Sequence, residues 1–406
     1  MTKRIETTQA GSLPRTPELI AANDARRIAD DGFTLERTPE FDALLTGAVV
    51  DLVARQQDYG ITVPGDGEFG KAMTSAVDYG AWWSYSFQRV GGLSVNENEN
   101  VFTQKPILSE PGHVRLTSFT DRRDRQAFAE AYASPDSGIA TGSRATAFPN
   151  TTGELTYIGQ EAIASDVANL RTALDAAGIE NGFITSIAPG SGARIQNDFY
   201  KTEEEHVWAW AEVMREEYRA IIDGGLILQI DDPSIAENWD QINPEPSVED
   251  YLAFTRIRVE ALNHAIRDLP ADRIRYHLCW GSWHGPHTTD LEFAHIANLM
   301  LEVNAGAYTF EAANVRHEHE WKVWRDLELP AGKKILPGVV SHATNVVEHP
   351  ELIADRIETF ASLVGPDNVI ASTDCGLGGR VHHQIAEAKL RALGEGARIA
   401  SKRIYG

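Results

Sequence analysis

The sequence predicts a (β/α)8 barrel. Eight short β-branched or apolar runs alternate with amphipathic helical stretches, which signals parallel βα units. Nearly every run ends in a polar residue. The length of 406 residues suits one barrel domain enlarged by an insertion.

The expected strands are residues 5–9, 61–65, 183–188, 226–231, 274–279, 307–311, 335–340 and 369–373. Helical patterns fill 41–59, 161–177, 202–223, 247–268, 288–303, 348–364 and 381–400. In the first, Phe41, Leu44, Leu45, Val49, Leu52 and Val53 recur near helical spacing. Ser247, followed by Glu249 and Asp250, reads as a helix N-terminus. A doubly wound open sheet is the alternative architecture. One stretch breaks the rhythm: 71–160 separates the second strand from the next helix and carries Trp82, Trp83, Tyr85, Phe87, Arg89 and a polar run at 96–100. A βα-loop insertion of this length lies over the mouth of a barrel, so 71–160 is expected to act as a cap within a single domain, 1–406.

Composition excludes several classes. A formal net charge of −22 repels phosphate backbones and argues against a nucleic-acid partner. No apolar run reaches about 18 residues, so no membrane-spanning helix is expected. The basic start is followed by no apolar segment, which predicts a cytoplasmic rather than a secreted protein. In a reducing compartment the two cysteines, Cys279 and Cys375, point to metal binding or catalysis rather than to a structural disulfide.

The polar strand ends are Ser12, Glu68, Asp231 with Asp232, His277 with Cys279, Glu311, His342, and Asp374 with Cys375. C-terminal strand ends of a barrel share one mouth. Residues i and i+2 of a strand project to one side, so His277 and Cys279 can reach one metal together. Cys375 would join them from the last strand, giving three nitrogen and sulfur donors with a position left open, as in catalytic zinc sites. Glu311 offers a fourth, oxygen ligand. Redox chemistry by a Cys279–Cys375 pair is the rival reading. The glycines after Cys375 suit an anion-binding turn, although they lack a full phosphate-loop pattern. His284, His287, His317, His319, His382 and His383 are assigned structural or surface roles.

These motifs, in this order, resemble the catalytic C-terminal half of cobalamin-independent methionine synthase and the zinc-dependent thiol alkyltransferases around it. The resemblance rests on Ala10-Gly11-Ser12-Leu13-Pro14-Arg15-Thr16, Gly65-Asp66-Gly67-Glu68-Phe69, Gln229-Ile230-Asp231-Asp232-Pro233, His277-x-Cys279, Phe310-Glu311, Ser341-His342 and Asp374-Cys375-Gly376-Leu377. It implies Zn2+ on His277, Cys279 and Cys375, with Glu311 as fourth ligand. It implies that Ser12, Glu68 and Asp231 hold the amino-acid part of homocysteine and that His342 assists proton transfer. The expected partners are therefore a small-molecule thiol and an alkyl donor. The expected reaction is methyl transfer to homocysteine giving methionine, the alternative being epoxide opening of the epoxyalkane:coenzyme M type. A tetrapyrrole-binding barrel without zinc is the reading from a different class.

Overall fold

The computed structural model describes residues 3–71, 81–95, 99–139 and 148–406. Its centre is a curled, all-parallel sheet of seven strands. The strands among the described residues are β1 (Glu6–Thr7), β2 (Val90–Val95), β3 (Pro149–Tyr157), β4 (Phe183–Ile187), β5 (Ile227–Asp231), β6 (Ile274–Leu278), β7 (Ala307–Phe310), β8 (Lys334–Val340) and β9 (Ile370–Thr373). Their order in the main sheet is β1-β9-β8-β7-β6-β5-β4.

The expected strand at 61–65 differs: it forms no regular ladder. Pro64 lacks an N–H, so the segment cannot donate at every step. It still bridges the two sheet edges. The Thr62 and Val63 N–H groups both donate to Thr7 O at 3.0 Å, and Phe183 N–H donates to Pro64 O at 3.1 Å. Gly65 pairs in parallel with Phe183. These bonds close the barrel between β1 and β4.

The helices follow the predicted alternation, with bounds shifted by a few residues. They include Pro39–Asp58, Gln160–Ala177, Glu203–Asp223, Val248–Ala265, Phe293–Leu301, Pro350–Val364 and His383–Tyr405. Thr202 and Ser247 cap their helices by accepting the N–H of Glu205 and Asp250. The helix Pro17–Asp24, too weakly amphipathic to read from pattern, was not expected. Among the described residues no helix is long and apolar enough to cross a membrane.

Within 71–160, residues 72–80, 96–98 and 140–147 lie outside the described residues, so the polar run at 96–100 falls mostly outside them too. The remainder carries a two-stranded antiparallel sheet of β2 and β3, unforeseen in sequence because Gly91 and Gly92 interrupt its alternation at a bulge. Buried ion pairs tie the segment to the barrel. Arg89 meets Asp166 at 2.5 Å and Glu217 at 3.2 Å. Glu217 also accepts the hydroxyls of Tyr85, Tyr157 and Ser186 at 3.0, 2.8 and 2.7 Å. Four donors on one carboxylate offset the cost of burying its charge. Further along, Arg122 pairs with Glu237 and Asp240, on the loop that follows β5. Trp283, after β6, donates to Tyr132 Oη at 2.7 Å.

His206 anchors β3 to the helix Glu203–Asp223. Its Nε2 receives Trp210 Nε1–H at 3.1 Å and lies 2.8 Å from Thr151 Oγ1 on β3. The indole can only donate, so Nε2 must be the unprotonated nitrogen. Burial lowers the pKa to about 4. The folded state therefore binds fewer protons than the unfolded chain between about 4 and 6.5, and stability falls as pH drops through that window. In wild-type protein this should cost up to about 3 kcal/mol, read as the difference in urea midpoints between wild type and His206→Leu from pH 7 to pH 4.

Two glycines test the packing. A Cβ at Gly394, in the last helix, would stand 1.9 Å from Tyr59 O, a backbone atom that cannot step aside. Gly47, in the helix Pro39–Asp58, has nothing within 4 Å of that position. Gly394→Ala should destabilise by about 1–3 kcal/mol and Gly47→Ala should stabilise by about 0.5–1 kcal/mol in chemical denaturation.

Candidate active site

Alternation along the strands decides what enters the barrel. On β5 and β6, Leu228, Ile230, Ile274, Tyr276 and Leu278 face the helices, whereas Gln229, Asp231, Arg275 and His277 face inward. Register stacks the inward residues in layers: Gln229 lies beside Arg275, and Asp231 beside His277. Arg275 plugs the lower layer. It donates to Gln229 Oε1 at 2.6 Å, Thr8 Oγ1 at 2.8 Å and Gln9 O at 2.8 Å, and lies 3.3 Å from the centre of the Phe183 ring. The upper layer opens at the strand ends.

There, His277, Cys279 and Cys375 bring one nitrogen and two sulfurs within 4.8 Å of one another. Both cysteines are free thiols. His277 Nδ1 lies 3.3 Å from Thr309 Oγ1, and its buried Nε2 has no partner of normal hydrogen-bond geometry. The Cys279–Cys375 contact splits the two thiols. A hydrogen bond to its sulfur, aided by His277, holds Cys375 well below the usual thiol range. The same contact, with burial, holds Cys279 well above it.

Glu311 falls in an adjoining group. Its carboxylate, His342 and Asp374 have ligand atoms within 4.8 Å of one another. Glu311 accepts the Trp280 N–H at 3.0 Å and a donor from Asn314. Burial first, then the neighbouring Asp374, raises the Glu311 pKa well above the ordinary carboxyl range. Asp374 Oδ1 takes the N–H groups of Ala312 and Ala313 at 2.7 and 2.8 Å, and burial raises its pKa to about 6. Burial lowers His342 to about 3, so it is neutral, and its Nδ1 has no hydrogen-bond partner among the described residues.

Glu68, Asp231 and Ser12 stand at the mouth on three separate segments. Glu68 sits at φ +61° after Gly67 at φ +63°, a left-handed turn that aims its side chain back into the barrel. Its Oε1 accepts Thr185 Oγ1–H at 2.7 Å. Asp231 Oδ1 accepts Gln229 Nε2–H at 2.7 Å, and burial raises its pKa to about 7. Ser12 O receives the N–H groups of Leu377 and Gly378 at 2.8 and 2.9 Å. A Cβ at Gly376 would meet Ser12 Oγ at 2.3 Å, so glycine there lets the loop bearing Cys375 sit against the first strand end.

Sequence reasoning missed several neighbours. Lys71, Thr185, Thr309 and Asn314 touch the named residues, but lone polar residues at these spacings carry no recognisable signal. Arg15 and Arg89 are committed elsewhere: Arg15 donates to the backbone carbonyls of Glu68 and Lys71, and Arg89 to its two carboxylates. His317, expected to be structural or at the surface, is buried between Asp290 and Glu320 and stacked 3.8 Å from Trp280. Burial opposes its charge, but the two carboxylates prevail and raise its pKa to about 9.

The chain is 23% identical over 229 residues to a methionine synthase of Sulfurisphaera tokodaii, covering 55% of this chain and 58% of that one. It is 24% identical over 229 residues to a 2-hydroxypropyl-CoM lyase of Xanthobacter autotrophicus, covering 49% and 56%. The chain thus spans under three-fifths of each relative. The B12-independent methionine synthase of Shewanella sp. W3-18-1, solved with selenomethionine, superposes with a TM-score of 0.68 at 18% identity, over 99% of both chains. A putative vitamin-B12 independent methionine synthase from Listeria monocytogenes gives 0.60 at 16% identity, over 100% of this chain and 99% of that one. These two share the fold. Residues 127–398 match the profile of the cobalamin-independent synthase catalytic domain, and the chain belongs to that family.

Proposed function

We propose that this chain is a zinc-dependent thiol alkyltransferase that methylates homocysteine to methionine. The observation that supports this most is the cluster of His277, Cys279 and Cys375 donors at the barrel mouth. The donor set fits zinc: an imidazole and a sulfur from the end of β6, a second sulfur from the end of β9, a buried Nε2 without a hydrogen-bond partner among the described residues, and Thr309 on the other ring nitrogen. Glu311, in the adjoining group, would supply a fourth, oxygen ligand. Zinc bound here would lower the pKa of a coordinated thiol so that it reacts as thiolate at neutral pH.

The chain's own residues would do the rest. Ser12, Glu68 and Asp231 hold the amino-acid end of the thiol and orient its sulfur, which supplies much of the acceleration. The sulfur–carbon bond forms as the bond from carbon to the leaving group breaks. The electron pair of that bond stays on the leaving group, and the thiol proton passes to it by way of His342, which burial keeps neutral. We propose that 71–160 caps the mouth and excludes water. Its ties to the loops after β5 and β6 support this. A reducing cytoplasm is the proposed setting.

A second reading is favoured by the similarity to 2-hydroxypropyl-CoM lyase. In it, the thiol is coenzyme M and the electrophile an epoxide. Homocysteine or coenzyme M, each supplied with a panel of methyl donors and epoxides, separates the readings by mass spectrometry of the thioether. The expected product is methionine, from protein carrying about one zinc per chain, and Cys375→Ala should lower both metal affinity and product by more than about 100-fold. A hydroxyalkyl thioether of coenzyme M with no product from homocysteine would favour the second reading. Unchanged thioether from zinc-free protein would overturn both.

A further inference from the structure

A cation sits inside the pocket proposed for the amino-acid end of the thiol. Lys71 follows Glu68 by three residues, and its ammonium stands 3.3 Å from Glu68 Oε1, with the two side chains 5% and 4% exposed. Lys71 Nζ donates to Thr185 Oγ1 at 2.5 Å, and the Thr185 hydroxyl passes the interaction on to the same Glu68 oxygen. On another side Nζ lies 4.2 Å from the centre of the Tyr85 ring. An ammonium has three donors. Among the described residues Thr185 and Glu68 take two, and the Tyr85 ring face does not replace a carboxylate for the third.

The surroundings present this pair to a ligand. Gly11, at φ +132°, lies against the Glu68 carboxylate, where a Cβ would come within 3.0 Å of Oε1. Asp231, across the mouth on β5, interacts electrostatically with both Glu68 and Lys71. A pocket built for an ammonium alone needs carboxylates only, and a buried lysine beside them would repel the ligand. A pocket built for a sulfonate needs cations without two facing carboxylates. A positive and a negative group side by side match a ligand that carries both charges on neighbouring atoms.

We infer that Lys71 receives the carboxylate of the substrate while Glu68 and Asp231 receive its ammonium, so that the site selects thiols ending in an α-amino acid. This rests on the amino-acid-thiol reading given under Proposed function. Lys71 is then a specificity residue for the far end of the substrate and leaves the sulfur's reactivity to other groups.

The test is a calorimetric titration of the zinc-containing protein with homocysteine and with 3-mercaptopropylamine, its counterpart without the carboxylate. Wild type should prefer homocysteine by about tenfold or more. Lys71→Met should weaken homocysteine alone and bring the two thiols within about twofold, and Lys71→Arg should restore part of the preference. If Lys71→Met does not fold, Lys71→Gln serves for the same comparison. An equal loss on both thiols, or a wild type without preference, would overturn the role of Lys71 and leave the amino-acid-thiol reading standing. Failure of homocysteine to bind zinc-containing wild type would overturn that reading itself.

Discussion

Parallel pairing fixes where each strand of this barrel ends, and the polar residues of the chain stand at those ends. The register of β5, β6 and β7 sets Asp231, His277 and Thr309 at one level, one layer above Gln229, Arg275 and Ala307. A slip of one residue on β6 would turn His277 toward the helices and bring Tyr276 or Leu278 into the mouth. The closing bonds from Thr62 and Val63 to Thr7, and from Phe183 to Pro64, matter for the same reason. They hold Ser12 and Glu68 opposite Asp231, which lies 219 and 163 positions further along the chain.

Gathering so many polar groups costs stability, and the chain offsets the cost locally. Below the mouth, Arg275 is surrounded by the acceptors of Gln229, Thr8 and Gln9, and burial lowers its pKa to about 9. At the rim, Asp374 spends one oxygen on two backbone N–H groups and leaves the other without a partner among the described residues. His277 and His342 likewise each keep a buried ring nitrogen without a hydrogen bond.

The strands that form ladders were legible because their sequences alternate and end in polar residues, and β4 to β9 lie within a residue or two of the expected bounds. The segment at 61–65 was legible as a barrel stave but not as an irregular one, since the effect of Pro64 depends on which neighbour needs its missing N–H. The β2–β3 pair was hidden by glycines at its bulge. At the site, His277, Cys279 and Cys375 could be grouped from an i, i+2 spacing and a strand end. Lys71, Thr185 and Asn314 could not, because their place depends on the left-handed turn at Gly67-Glu68 and on loops whose path no periodicity encodes. Folding commits Arg15 to backbone carbonyls and Arg89 to buried carboxylates.

Belonging to the cobalamin-independent synthase catalytic-domain family and holding two sulfurs and an imidazole together lead to one central claim, a thiolate-activating metal at this mouth. Zinc-edge X-ray absorption on the purified protein tests it most directly. The account predicts two sulfur ligands at about 2.3 Å with nitrogen and oxygen at about 2.0–2.2 Å, and a third sulfur when homocysteine is added. A shell of oxygen and nitrogen alone, or a sulfur count that survives replacement of both Cys279 and Cys375 by serine, would contradict it.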